Sequence, residues 1–385
     1  MKRLIKKIIF FILKPLFHKN RYIYINPTFL GGLINLMYLS TVKRDFKIII
    51  DPFELFKRNR LANIKIFQIA YYLIMKKKIN FFFNFLHYLY YKSNLYTENI
   101  NNITITGYRH RDNKAYKNLS KKNDSYFDIH ESKSNDDYIN QIVKKKYLLF
   151  SCRDGAYKKE FLGKINSNYH SYRNENILNY EKALSKFFEK NYNIIRFGSK
   201  TEKRCNNKDI FDYTFSKYRN QNNDLFLMKN CEIYIGTGSG PDILAINFQK
   251  PIVYINWVHP SNLFTFQNNV VVIFKKIFDK KQKKYIPYKQ LVDPNFKFKG
   301  EETPVGMFDQ TNQYKKFSFE LVENTDDEIF NATNEMIKFR KGEFKFDKNL
   351  QDKFKTPFTK RTNNSFAQNF FISEYFIKKN MDLFN

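Results

Sequence analysis

Residues 232–257 read EIYIGTGSGPDILAINFQKPIVYINW, and the succession of residue types in that stretch decides the fold. Residues 232–235 (EIYI) are β-branched and aromatic, the composition of a short strand. Residues 236–240 form a Gly-rich turn. Pro241 then falls near a first helical position, where its missing N–H is harmless and its fixed φ is already helical. Residues 241–248 read as that helix. Lys250-Pro251 ends it, and 252–256 read as a second strand. Strand, turn, helix, strand is the repeating unit of a parallel sheet.

The same alternation extends upstream. Residues 146–151 (KYLLFS) predict the opening strand of a domain. Residues 176–189 predict a helix, with Ile177, Tyr180, Ala183, Leu184, Phe187 and Phe188 on one face. A strand follows at 192–197 (YNIIRF), ending at Gly198, and a short helix at 223–230. Downstream, 324–340 predict a helix with Asp326, Asp327 and Glu328 in its first turn and Asn324 or Thr325 as its N-cap.

Nearer the start, 22–26 (YIYIN) and 46–50 (FKIII) read as strands on either side of Gly31-Gly32 and an apolar, helix-like 33–39. Residues 64–91, rich in Phe, Tyr, Leu and Ile, predict helices over that sheet. Residues 97–140 turn polar and read as a connector. The expectation is an α/β protein with two Rossmann-like, doubly wound parallel-sheet domains facing a cleft. The segments are a basic stretch over 1–20, a first domain with its connector over 21–140, a second over 141–345 and a C-terminal extension over 346–385.

The 385 residues suit about two domains. With 43% hydrophobic and 18% aromatic residues the chain can bury a core, which excludes global disorder. Three Cys are too few for a disulfide scaffold or a structural zinc site. Sixty-seven basic against 37 acidic residues give +30. Such an excess points to phosphate-bearing partners or an anionic membrane. The competing reading is compositional, since Lys, Asn, Ile, Phe and Tyr all have AT-rich codons. The basic residues occur along the whole chain rather than on one element with interleaved aromatics, so no nucleic-acid partner is expected; a basic nucleic-acid-binding protein, or a catalytically inactive membrane-associated scaffold, stays as the alternative reading.

The chain opens MKRLIKKIIFFILKPLFHKNR. Its apolar core, 8–13, is far shorter than the roughly 20 residues that span a bilayer, and it lacks the long apolar region and cleavage site of a signal peptide. Two readings stand. In one, Lys2, Arg3, Lys6, Lys7 and Lys14 face anionic headgroups while Leu4, Ile5, Ile8, Ile9 and Ile12 insert. In the other, an ordinary helix packs on the protein. No other segment looks transmembrane, which argues against a channel or transporter. The expected location is cytoplasmic, with peripheral attachment to the inner face of the cytoplasmic membrane as the further expectation.

Chemistry concentrates at predicted strand ends. Gly236, Thr237, Gly238, Ser239 and Gly240 lie between a strand and a helix. Glycines permit close backbone approach, the helix N-terminus offers free N–H groups, and Thr237 and Ser239 add hydroxyls, a set suited to phosphate. The sequence is neither a Walker A motif nor a full GxGxxG fingerprint, and a ligand-free turn is the alternative. Arg153, after the 146–151 strand, offers a planar fork for diphosphate. Asp154 is the candidate polar catalytic residue: it would hold Arg153, bind a sugar hydroxyl or act as a base. The alternative is a structural Arg153–Asp154 pair capping a turn. Arg173, ahead of a helix that Asn174 would cap, is a second anion contact, and Arg196, at another strand end, a third. Cys152 reads as packing rather than as a nucleophile, and His170 as a loop residue. His18, His87, His110, His130, His170 and His259 show no metal-ligand spacing, so no metal is expected.

Taken together, Cys152-Arg153-Asp154 with Ala156-Tyr157, Tyr172-Arg173-Asn174 before Ile177 and Tyr180, Ile195-Arg196-Phe197-Gly198, Tyr234 through Gly240, Lys250-Pro251 to Asn256-Trp257, and Glu323-Asn324-Thr325 through Glu328-Ile329 resemble a family of bacterial glycosyltransferases of surface-polysaccharide clusters. That family looks like the two-domain GT-B architecture and is distantly similar to the α-1,6-fucosyltransferase and heptosyltransferase groups. The resemblance covers about 146–340, and only loosely 26–39. Family members often carry a His before the Arg-Asp region, where this chain has Ser151-Cys152. The resemblance implies a nucleotide-sugar donor in the second domain, with Arg153 and the Gly loop at its phosphates. It also implies a glycan or lipid-linked acceptor at the first domain. The nucleotide-sugar is a co-substrate, and no separate cofactor is implied.

Overall fold

The computed structural model describes residues 2–17, 21–25, 46–50, 85–90, 103–104, 134, 136–160, 168–258, 260, 269–292, 297–298, 301–302, 310–362 and 370–385. The expected Gly31-Gly32 turn, the helix at 33–39, the helices of 64–84 and most of the polar connector lie outside these residues. The chain divides into two compact units, Met1–Tyr116 and Lys117–Asn385.

The first unit contains the helix Lys2–Phe17 and the strands Arg21–Ile25 (β1), Phe46–Ile50 (β2) and Ile103–Thr104 (β3). Both β2 and β3 pair with β1 in parallel, so the order is β2-β1-β3. The two strands read from the sequence are neighbours in a parallel sheet, as a βαβ unit requires. β3 falls within the stretch read as connector.

The second unit is built on Tyr147–Phe150 (β4), Asn193–Arg196 (β5), Ile210–Asp212 (β6), Ile233–Gly236 (β7), Ile252–Trp257 (β8) and Val270–Phe274 (β9). Lys276–Asp279 (β10), Lys284–Tyr285 (β11) and Phe319–Val322 (β14) form a small antiparallel sheet, and Lys297–Phe298 (β12) pairs with Glu301–Glu302 (β13). Phe371–Ile372 (β15) returns to the main sheet beside β9. The main sheet is parallel throughout, with seven strands in the order β15-β9-β8-β7-β4-β5-β6. Every residue of β4, β7, β8 and β9 is buried, the uninterrupted apolar pattern of strands covered on both faces.

This order positions the site. From β4 the chain steps outward to β5 and β6, then comes back to lay β7 against the other side of β4. The winding direction reverses between β4 and β7, and in an open parallel sheet the crevice beyond the carboxyl ends at such a reversal is where ligands bind.

Two segments at the edges of the second unit are tied into it. A boundary at 140/141 would cut the helix Asp137–Val143, which belongs with the second unit. Ser134 Oγ just ahead of it donates to Asn223 Oδ1 at 2.5 Å, and the Tyr138 ring stacks on Tyr218 at 4.5 Å. Residues 346–385 fall within the same unit. Besides β15, Gln351 hydrogen-bonds Ile372 through both ends of its amide, at 2.7 and 2.9 Å. Phe370, Phe376, Ile377 and Phe384 are buried. Phe346 stacks on Phe371 at 4.2 Å.

Candidate anion-binding crevice

Two loops leave the sheet side by side at the reversal. Ser151–Asp154 follows β4 and Thr237–Ser239 follows β7. They are tied together beneath the surface. Ser151 Oγ lies 2.5 Å from Tyr234 Oη, and Tyr234 Oη donates to Asp242 Oδ1 at 2.8 Å, so Ser151 is the donor in the first bond. Asp242 is fully buried; its Oδ2 accepts the Ser239 N–H at 2.7 Å and its Oδ1 the Ser239 hydroxyl at 3.2 Å. Burial raises its carboxyl above the ordinary range, against these hydrogen bonds.

Packing beneath the loop explains two of its glycines without a ligand. A Cβ on Gly236 would come within 2.5 Å of Asp242 Oδ1 and 2.6 Å of the Tyr234 ring. Gly238 sits at φ +82°, with a Cβ there 3.2 Å from the Trp257 indole. Two groups of the loop are left outside this arrangement. The Thr237 hydroxyl is buried with no hydrogen-bond partner among the described residues. Gly240 opens the helix Gly240–Asn247, and first-turn N–H groups have no intrahelical acceptor.

Arg173 reaches this loop from the turn Asn168–Arg173, donating from Nη1 to the Gly238 carbonyl at 2.8 Å. Its own segment is pinned. The buried Lys275 ammonium donates to the Asn174 carbonyl at 2.8 Å and the Tyr172 carbonyl at 3.3 Å. The Tyr172 N–H donates to Thr311 Oγ1 at 3.1 Å, and the Tyr172 ring stacks on Tyr314. The guanidinium lies over the Tyr172 ring at 5.5 Å. His170 packs edge-on against the same ring.

Arg153 comes from the β4 loop, its carbonyl accepting the Glu175 N–H at 2.8 Å. Lys158, in the first turn of a helix beginning at Ala156, completes a group of three cations. Burial, then the charges of Arg153 and Arg173, bring its ammonium down from 10.5 to about 7. Among the described residues it has no hydrogen bond or ion pair. Glu175 lies beneath. Burial pushes its carboxyl well up, opposed by Lys275 and by the Tyr180 hydroxyl that donates to it at 2.6 Å.

The remaining candidates fall elsewhere. Both Asp154 oxygens accept backbone N–H groups, Oδ1 from Ala156 at 3.0 Å and Oδ2 from Glu202 at 2.5 Å. Those contacts cap the turn and tie down the 200–202 loop. Arg196 is 1% exposed, bonded to Asp212 at 3.2 Å and to the Lys203 carbonyl. It is an interior ion pair rather than a third anion contact, because the sheet register sets Arg196 beside Asp212 of β6. Asn174 is not the helix cap: its Nδ2 donates to the Asp154 carbonyl at 3.1 Å, while Asn176 Oδ1 caps Ile177–Ser185 through the Leu178 N–H. Cys152 is buried and its thiol is pushed well up, first by desolvation and then by Glu175. Among the described residues no group of three or more His, Cys, Asp or Glu could hold a metal ion.

Lys158, Asp242 and Glu175 were missed in the sequence. Asp242 had a signal, since Ser239-x-x-Asp242 is a capping-box spacing at a helix start. Lys158 had a weaker one, its place one turn beyond a strand-end loop. The Glu323–Glu328 motif proves architectural. Glu323 accepts the Asn176 N–H, Asn324 exchanges bonds with Asn256 at 2.6 and 2.7 Å, and Thr325 and Glu328 cap Asp326–Arg340 reciprocally.

No protein-family model matches this chain, and no curated protein matches it in sequence. Among solved structures, the E. coli ADP-heptose lps heptosyltransferase II matches with a TM-score of 0.40 and 10% identity, over 83% of this chain and 99% of that chain. At that level of similarity the crevice has to carry the functional reading by itself.

Proposed function

We propose that the protein is a glycosyltransferase whose second unit holds a nucleotide-sugar by its diphosphate, with a surface glycan or lipid-linked molecule as acceptor. The observation that carries this reading is Arg173 bonded to the Gly-rich loop at the reversal point of the sheet, with Lys158 close enough to Arg153 and Arg173 to feel both charges. Two like charges beside Lys158 disfavour its ammonium, and an anion joining them favours it. A diphosphate satisfies all three, and the Thr237 hydroxyl and Gly240 N–H are suited to its oxygens.

In this reading the reaction needs no metal. As the bond between the anomeric carbon and the diphosphate breaks, negative charge grows on the leaving oxygen, and in this reading Arg153, Lys158 and Arg173 neutralise it. Asp154, held by two backbone N–H groups, keeps the loop that carries Arg153 in position.

The test is a thermal-shift panel of GDP-, UDP-, CMP-, ADP- and dTDP-sugars on the full chain. At least one is expected to stabilise the wild type, and Arg153→Ala should abolish that shift while the unfolding transition stays cooperative. A panel without any shift would sink the reading. So would salt-sensitive binding to duplex or single-stranded nucleic acid that outranks every nucleotide-sugar.

A further inference from the structure

The helix Lys2–Phe17 has two different apolar faces. Phe10 and Leu13 are buried against Tyr88 and Tyr90, with the Phe10 and Tyr90 rings stacked at 5.6 Å. Leu4, Ile5, Ile8, Phe11, Ile12 and Leu16 are all exposed, from 49% at Ile5 to 69% at Leu16. At 100° per residue these six fall within one stripe roughly 140° wide, on the side away from Phe10 and Leu13. A continuous row of large apolar side chains is not an ordinary water-facing surface.

Charge identifies what covers it. The helix KRLIKKIIFFILKPLF contains five Lys and Arg and no acidic residue. By helical spacing Lys7 and Lys14 fall along one border of the apolar stripe, and Lys6 lies behind it. An apolar stripe bordered by cations matches a bilayer interface, where the first enters the acyl boundary and the second meet anionic headgroups. A second copy of the chain would bring the same cations against themselves. Sixteen residues rise only about 24 Å as a helix, short of a roughly 30 Å hydrocarbon core, so the helix suits lying in the interface plane. No described helix is long and apolar enough to cross a membrane.

We infer that the exposed stripe Leu4, Ile5, Ile8, Phe11, Ile12 and Leu16 docks the protein on an anionic lipid surface, with the Phe10–Leu13 face holding the helix to its own unit. This surface is independent of the crevice and of the glycosyltransferase reading. Each Lys or Arg near an anionic surface is worth about fivefold in partitioning.

The experiment is flotation of the full chain with two kinds of vesicle, phosphatidylcholine alone and phosphatidylcholine with about one-third phosphatidylglycerol. Wild type is expected to float with the second and far less with the first. Phe11→Glu/Ile12→Glu, at positions 67% and 66% exposed, should lower partitioning at least tenfold while keeping the wild-type circular dichroism spectrum. The control is Lys208→Ser/Lys284→Ser, two exposed positions outside the helix that lower the net charge by the same two units. It should float like wild type. The inference is overturned if wild type ignores anionic vesicles, if the control loses binding as fully as the helix variant, or if gel filtration shows a dimer that only the helix variant dissociates.

Discussion

Arg173 Nη1 donates to the carbonyl oxygen of Gly238 at 2.8 Å, joining residues 65 apart in sequence across the mouth of the β4/β7 crevice. The bond uses one arm of the fork. Nε is buried and has no partner among the described residues. Arg173 thus shapes the Gly loop and brings charge to it in one side chain. Arg173→Ala should weaken nucleotide-sugar binding by about 10- to 100-fold, the scale of losing a charge-assisted hydrogen bond. Arg173→Lys keeps the charge but not the planar fork and should recover only part of the affinity. Titration calorimetry on both variants checks this, and equal affinity in Arg173→Ala and wild type would remove Arg173 from the site.

Lys158 gives the crevice a pH signature. Its ammonium titrates near 7 instead of 10.5 because of burial and then the neighbouring guanidinium groups. Between those two values the unfolded chain binds a proton that the folded chain does not. Stability of the ligand-free protein should therefore gain a contribution from this group as pH rises from about 7 to 10.5. A bound diphosphate reverses the situation by favouring the charged ammonium, so binding should take up a proton. At pH 8, calorimetry in buffers of different ionisation enthalpy should show uptake approaching one proton per ligand for wild type and almost none for Lys158→Met. Uptake of the same size in both would place the titrating group elsewhere.

The hub beneath the crevice is Asp242. Asp242→Asn keeps the shape but leaves one acceptor oxygen in place of two, so either the Ser239 N–H or the Tyr234 hydroxyl loses its acceptor. The expected loss is about 1–3 kcal/mol in urea unfolding, the cost of leaving a buried donor unsatisfied. Because burial raises the Asp242 carboxyl above its ordinary 3.8, the folded state favours the protonated form, and that contribution fades as pH rises through the folded value. The neutral amide has no such dependence, so the deficit of the variant should narrow as pH rises. A deficit that widened with pH would contradict a raised carboxyl.

Legibility from sequence followed the range of the interactions. Strands β4, β7 and β8 were readable because each is a mostly apolar run buried throughout, and β5 because its Ile194-Ile195 pair sits between Tyr192 and Phe197 and ends at Gly198. Strand β9, Val270–Phe274, carries the same pattern and was passed over, although its composition announces it. β15 is two residues long and exists only through its pairing with β9 and Gln351, which no local pattern encodes. At the site, Arg153, Arg173 and the Gly loop stood out as residue types at strand and helix ends. Lys158 looked like one more lysine beside Lys159. Its meaning comes from Arg173, which the turn Asn168–Arg173 brings back to it.

Arg196 is the case where residue type misled, and it supplies a discriminating measurement. A strand-end arginine resembles an anion contact, but the pairing of Arg196 with Asp212 in adjacent strands makes it a partner in the interior. Arg196→Met keeps much of the buried volume and leaves Asp212 Oδ2 with only the Cys205 N–H at 2.8 Å. Removing one partner of a buried pair should cost about 3 kcal/mol. The unfolding midpoint should fall clearly, while nucleotide-sugar affinity of the folded variant, measured well below that midpoint, stays within about twofold of wild type. The opposite pattern, unchanged stability with lost affinity, would return Arg196 to the crevice and remove it from the architecture.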